Sequence, residues 1–198
     1  MRVAPGAWRY AVLPAALSLP AFLLSPLATL ALLGLAVAVV WFHRDPARTP
    51  PADGLLSPAD GRVSVVREEA GRLRVGVFMN VTDVHVNRAP LSATVREVAH
   101  SPGGHWPAFS KESDRNERVT VDCGDHEVVL VAGTVARRIH PYVEAGESVA
   151  RGERIGHVSF GSRADVLFPP GVTRADLRVE RGDRVRAGET VLADVPAR

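Results

Sequence analysis

The chain has 198 residues, enough for one domain of moderate size with an appendage. Its 24 basic and 22 acidic residues leave a net charge of +2, too small a field to imply a nucleic-acid partner. Cys123 is the single cysteine, so no internal disulfide can form, and a strand-like setting predicts a small buried residue there.

Residues 11 to 42 carry no charge and are interrupted by Pro14, Pro20 and Pro26, which predicts a membrane-associated helical segment over residues 1–42. One straight helix over that run would reach about 48 Å against about 30 Å of hydrocarbon, and the central prolines oppose it. Arg2 and Arg9 precede the run, and Arg44 and Arg48 follow it. If both flanks stay on the cytoplasmic side, the run enters the bilayer and returns as a hairpin. A tilted span over Leu23 to Trp41 is a second reading, and a signal peptide cleaved near the Ala-Val-Ala of residues 36–38 is a third.

Composition changes at the proline-rich stretch from His43 to Pro51. From Asp60 onward, short β-type runs alternate with glycine: Arg62 to Val66, Arg72 to Phe78, Ala93 to Val98, Arg118 to Cys123 and Glu127 to Val131. No long amphipathic helix interrupts them, so residues 43–198 should form a mainly β domain.

An internal repeat closes the chain. Glu144-Ala145-Gly146-Glu147 through Gly152-Glu153 returns as Glu180-Arg181-Gly182-Asp183 through Gly188-Glu189, each copy placing a short apolar strand between two glycine turns. Ser57 to Val63 and Ala89 to Val95 share a second pattern, Pro-x-x-small-x-Val. Together these segments resemble the halves of a barrel-sandwich, the biotinyl and lipoyl carrier fold, which by itself settles no function.

A carrier needs a lysine at a hairpin tip, and Lys111, the only lysine, sits in a polar loop without hairpin symmetry. A membrane-anchored adaptor with the same core would insert a coiled coil, and no apolar heptad run exists. His100 and His105 invite a metal reading, but neither a His-x-x-x-His helix nor a cysteine pair accompanies them, and no metal is expected. His126, His140 and His157 read as surface or hydrogen-bonded residues. In Asp83-Val84-His85, a strand would place Asp83 and His85 on one face, where the carboxylate could orient the imidazole for acid–base work. Gly161-Ser162 joins two apolar runs at a point where the backbone can bend tightly.

Several spaced motifs then fall in order: Phe42-His43-Arg44-Asp45-Pro46, Ser57-Pro58-Ala59-Asp60-Gly61, the element from Asp83 to Pro90, Asn116-Glu117-Arg118, Val135-Ala136-Arg137-Arg138-Ile139, and Phe160-Gly161-Ser162-Arg163 with Asp165-Val166. Over nearly its whole length the sequence resembles the short bacterial form of phosphatidylserine decarboxylase.

That resemblance implies a proenzyme that cleaves itself between Gly161 and Ser162 into a β chain (1–161) and an α chain (162–198), which stay associated. Ser162 would become a pyruvoyl group, the cofactor that forms a Schiff base with the amine of phosphatidylserine and releases phosphatidylethanolamine and carbon dioxide. His85, oriented by Asp83, is the first candidate for the acid–base role, with His100 and His105 behind it. Arg137 and Arg138 are candidates for the lipid phosphate. The resemblance also implies a membrane location with the catalytic domain on the cytoplasmic side, and a homo-oligomer is expected. A related decarboxylase acts on archaeal ether lipids, and the sequence leaves ester and ether tails equally open.

Overall fold

The fold is taken from a computed structural model, which describes residues 2–134, 138–159 and 161–195 with all of their side chains except that of Lys111. The chain divides into two units, one ending at Ala47 and the other beginning at Arg48. It is mainly β, with two helices confined to the first unit.

In the first unit, helix α1 (Trp8–Leu24) and helix α2 (Pro26–Phe42) are split at Ser25, whose extended backbone ends one helix and caps the next. The Ser25 hydroxyl accepts from the Ala28 amide at 3.3 Å, and Pro26 occupies the first turn, where its missing N–H removes no bond. The helices pack antiparallel, so that Trp8, Ala11 and Ala15 of α1 face Val37, Val40 and Trp41 of α2 across an apolar groove. Strands β1 (Arg2–Val3) and β2 (Arg44–Asp45) pair antiparallel and tie the open end together. Leu23, Leu24 and Leu27 at the far end are among the most exposed side chains, and neither helix has a polar face. Among the described residues no helix is long and apolar enough to cross a membrane. The span expected over Leu23 to Trp41 is therefore not formed, because the chain breaks at Ser25.

The second unit opens with β3 (Leu55–Leu56), β4 (Gly61–Glu69), β5 (Arg72–Phe78), β6 (Val86–Arg88) and β7 (Ala93–Thr94). It continues with β8 (Glu97–Ser101), a 3-10 turn (Lys111–Arg115), β9 (Arg118–Asp122), β10 (Glu127–Val131) and β11 (Ile139–Pro141). The last strands are β12 (Ser148–Val149), β13 (Arg154–Val158), β14 (Arg163–Leu167), β15 (Arg184–Val185) and β16 (Val191–Ala193). An antiparallel sheet of seven runs in the order β15-β4-β5-β14-β10-β9-β8, beside a sheet of three, β11-β13-β6. Strand β9 alternates buried Val119 and Val121 with half-exposed neighbours, whereas β5, β10 and β14 are buried on both faces. Their valines meet Leu130, Ile155, Phe168 and Leu192 in one core.

The expected run from Ala93 to Val98 divides into β7 and β8. The amide of Val95 turns to Glu147 O at 2.8 Å and that of Arg96 to Asp122 O at 2.7 Å, so the chain changes sheets between them.

The repeat has a direct counterpart in hydrogen bonding. Gly146 N–H donates to Val95 O and Gly152 N–H to Ala89 O, while 36 residues on Gly182 donates to Val63 O and Gly188 to Ser57 O. Each copy thus clasps one Pro-x-x-small-x-Val segment, and all four glycines have positive φ. Every sheet retains free edges, and among the described residues none closes into a barrel.

Candidate active site

Strand β13 leaves the small sheet at Val158 and the chain enters the seven-stranded sheet at Arg163, so Gly161 and Ser162 lie where it passes from one sheet to the other. Gly161 takes φ +67°, the left-handed region that favours glycine. Ser162 follows, fully buried. Its hydroxyl donates to Val158 O at 3.4 Å, and its carbonyl accepts from Met79 N–H at 2.9 Å. Phe160 lies outside the described residues.

Met79 reaches this position because Gly61 has no side chain: a Cβ there would overlap the Phe78 carbonyl. The segment after Met79 turns at residues 80–83 and brings in His85. The Val158 amide donates to His85 O at 3.4 Å, so one residue, Val158, bridges the backbone of the histidine and the hydroxyl of the serine. His85 is buried, and its Nδ1 lies 3.0 Å from the Asp83 carbonyl oxygen. A carbonyl can only accept, so this bond places the proton on Nδ1 and the basic lone pair on Nε2.

The expected arrangement of Asp83 and His85 on one strand face is corrected here. Asp83 sits in a turn and β6 begins only at Val86, so period two does not apply. The Asp83 carboxylate caps that turn by accepting from Asn80 N–H at 2.8 Å, and it also accepts from Arg184 at 3.0 Å. The Asp83 group that holds the imidazole is its backbone carbonyl.

Asp60 and Asn87 are neighbours that sequence reasoning did not single out for chemistry. Burial pushes the Asp60 carboxyl above the ordinary range, and the charge of Asp83 adds to that, against the opposing pull of Arg48. Arg48 donates to it at 2.7 Å and the Ala187 amide at 2.8 Å. Asn87 is wholly buried, with its amide nitrogen 3.6 Å from the sulfur of Met79. The Ser57-to-Gly61 pattern was the available signal for Asp60. Nothing in the spacing marked Asn87.

The other candidates are not gathered here. His100 occupies β8, three strands from β14 and therefore about 14 Å away across the sheet. Its ring nitrogen pairs with Glu117 at 2.9 Å, and His105 lies 4.0 Å from the same carboxylate. Arg138 is exposed, and Arg137 lies outside the described residues. Cys123 is half-buried rather than buried, and burial together with nearby aspartates pushes its thiol up to about 11, which makes it a poor nucleophile. His126 pairs with Asp125 at 2.6 Å, and His157 stacks on His140 and meets Tyr142 at 2.7 Å. Among the described residues no cluster of ligands could hold a metal ion.

Beside Gly161 lies an apolar cavity of about 240 Å³, walled by Phe78, Val81, Pro107, Ala108, Phe109 and Thr134. Phe109 packs edge-on against Phe78, ring centroids 5.5 Å apart, and is itself largely exposed.

The family model described as phosphatidylserine decarboxylase matches residues 35–193. A Halobacterium salinarum chain named as archaetidylserine decarboxylase proenzyme is 58% identical over 96% of this chain and 97% of its own. A phosphatidylserine decarboxylase proenzyme of Thermobifida fusca is 51% identical over 80% of this chain and 74% of its own, and one of Streptomyces avermitilis is 50% identical over 79% and 74%. The buried serine behind a left-handed glycine, linked through Val158 to the backbone of a buried histidine, thus stands in a chain that belongs to the phosphatidylserine decarboxylase family.

Proposed function

We propose that the chain is a self-processing decarboxylase that converts phosphatidylserine to phosphatidylethanolamine and carbon dioxide. The observation that carries this reading is Ser162, wholly buried and held by its hydroxyl and its carbonyl immediately after a glycine of left-handed φ. Rotation of the hydroxyl from Val158 O toward Gly161 C lets its oxygen attack that carbon. The Gly161–Ser162 amide is thereby exchanged for an ester, with His85 Nε2 as the base for the hydroxyl proton. Elimination across Cα and Cβ of residue 162 frees Gly161 as a carboxylate. Water then adds to the remaining unsaturated residue and ammonia leaves, so residue 162 becomes a ketone. A pyruvoyl ketone at residue 162 would supply the covalent electron sink that decarboxylation of an amine substrate needs.

The surroundings suit that group. The Met79 amide already holds the carbonyl next to it, burial excludes bulk water, and the cavity beside Gly161 offers an apolar surface to the parts of the lipid nearest the headgroup. Fragments 1–161 and 162–198 remain associated through the sheets that both build. The duplicated clasp of the two glycine repeats supports a barrel-sandwich ancestry for the β unit. The two apolar helices hold the protein at the cytoplasmic face of the cell membrane as a hairpin, with Trp8, Trp41, Arg9 and Arg44 near headgroup level at its open end.

A second reading, the same chemistry on ether-linked tails, is favoured by the Halobacterium match, which covers the helices as well as the β unit. The headgroup reaction is common to both, and parallel assays on ester and ether lipids separate them.

The test is the mass of the purified protein with and without Ser162→Ala. Wild type should yield two fragments, and cyanoborohydride should fix phosphatidylserine to the one beginning at residue 162. Ser162→Ala should remain whole and inactive, while Lys111→Ala cuts and turns over normally. Whole wild-type protein that still releases carbon dioxide would overturn the proposal.

A further inference from the structure

Directly behind the serine, the sheet interior holds charge where apolar packing would be ordinary. Arg163 and Asp165 share one face of β14 and are 2% and 0% exposed by side chain. They meet as a fork, Nε to Oδ1 at 2.7 Å and Nη2 to Oδ2 at 2.9 Å. From β5, Arg74 donates twice to the same Oδ2, at 2.6 and 2.9 Å. Gly76 makes the space, because a Cβ there would collide with the Asp165 carboxylate.

Arg163 also reaches outward. Its Nη1 donates to Ser113 Oγ at 2.6 Å and to Ala108 O at 3.1 Å, and its Nη2 to Asp114 at 3.0 Å. Arg67 binds the other oxygen of Asp114 at 2.7 Å, and Glu69 bridges Arg67 and Arg74. Three arginines and three carboxylates therefore balance in charge while joining β4, β5, β14 and the segment 108–114. That segment carries Ala108 and Phe109, two walls of the cavity beside Gly161.

Stability is a weak reason for such a cluster, since buried ion pairs are commonly no better than well-packed apolar residues of the same volume. Geometry is a stronger one. In the uncut chain, residue 162 is held from both sides, through β13 on its two partners and β14 on its two partners. A cut before residue 162 removes one side and makes it a chain terminus, and termini fray unless tied down. We propose that Arg163 and Asp165 are positioning residues for the chain end that self-cleavage creates, and that Arg163 fastens the cavity wall at 108–114 to that end. The inference rests on the proposed cut at Gly161–Ser162. Arg163 then acts on the reactive residue through the backbone they share, and on the bound lipid through the wall it grips.

The experiment introduces Arg163→Lys and, separately, Ser113→Ala into the full chain, each with Ser162 present and on a Ser162→Ala background that keeps the chain whole. Hydrogen exchange across residues 163–167 is read by mass spectrometry. The rate at which cyanoborohydride traps phosphatidylserine from mixed micelles on the smaller fragment is read in parallel. Arg163→Lys should leave exchange within about twofold on the uncut background, but in the cut protein raise exchange and lower trapping about tenfold. Ser113→Ala, which keeps the Asp165 fork and so guards against a simple folding failure, should give the same pattern at smaller size. Equal loosening on both backgrounds would mark the cluster as purely structural and overturn the proposal. Unchanged exchange and trapping in the cut protein, or an Arg163→Lys chain that folds but never cuts, would overturn it too. Wild-type protein that stays whole would instead sink the cut itself, which keeps the two failures apart.

Discussion

Met79 donates its amide hydrogen to the carbonyl oxygen of Ser162 at 2.9 Å, and this bond fixes the peptide plane on the C-terminal side of the proposed cut. It depends on the close approach of two backbones, that of Met79 and that of Gly61, whose φ of +147° few other residues adopt.

Gly61→Ala should therefore slow formation of the two fragments while leaving a folded chain. The added methyl overlaps the Phe78 carbonyl and pushes Met79 away from Ser162. Overpacking of this kind costs about 1–3 kcal/mol. At about 2–4 °C per kcal/mol for a chain of this size, the melting temperature should fall by several degrees. Cleavage followed on denaturing gels, beside a thermal melt, checks both effects.

His85→Ala should lower the rate of self-cleavage about 100-fold, the lower range for removal of a general base. Asp83→Ala should slow it less, because the imidazole is held by the Asp83 backbone carbonyl, which alanine retains, while the turn at 80–83 loses its cap. Time courses after translation in vitro give both rates. Equal rates in wild type and His85→Ala would remove the histidine from maturation.

Acid should loosen the cluster behind Ser162 before the rest of the sheet. Burial pushes the carboxyls of Asp114 and Glu69 up, but arginine bonds outweigh it, from Arg67 and Arg163 on Asp114 and from Arg67 and Arg74 on Glu69, and hold both below their ordinary values. A depressed folded value means that stability is present above the unfolded value, 3.8 for Asp114 and 4.5 for Glu69, and is lost as pH falls through the folded one. Asp60, raised by burial, has the opposite sign and favours the folded state more as it protonates. Urea midpoints of uncut Ser162→Ala between about pH 6 and pH 3 should fall more steeply than those of the same chain carrying Asp114→Asn.

Deleting residues 1–47 should leave a β unit that still cuts itself but no longer sediments with membranes. The boundary between the two units falls there, and all residues placed around Ser162 lie in the second. Leu24→Lys in the full chain should weaken membrane retention without slowing cleavage, because it charges one of the most exposed apolar side chains of the helix pair.

The sequence exposed those parts of the fold that rest on local chemistry. Glycine pairs at 146/152 and 182/188 announced two turns of positive φ on either side of a short strand, and valine-rich runs announced β5, β9 and β10 nearly to the residue. Of the three prolines in the apolar run, Pro26 marked where it breaks while Pro14 and Pro20 lie inside α1, and three readings of the run stood open. What escaped was long-range. His100 reads as a neighbour of the site only until β8 is placed at the outer edge of the sheet. The Arg163–Asp165–Arg74 cluster needs the pairing of β14 with β5, which no spacing within β14 reveals.

The three strands that follow Ser162 do not lie together. Strand β14 runs between β5 and β10, β15 borders β4, and β16 pairs with β3. A cut before Ser162 would leave two polypeptides laced through one another, so subunit exchange would require global unfolding. The precursor reaches this arrangement as a single chain in a unimolecular search, whereas the cut protein, once denatured, could return only through a bimolecular encounter whose yield depends on concentration. Maturation would thus convert a reversible fold into one sustained by its unfolding barrier.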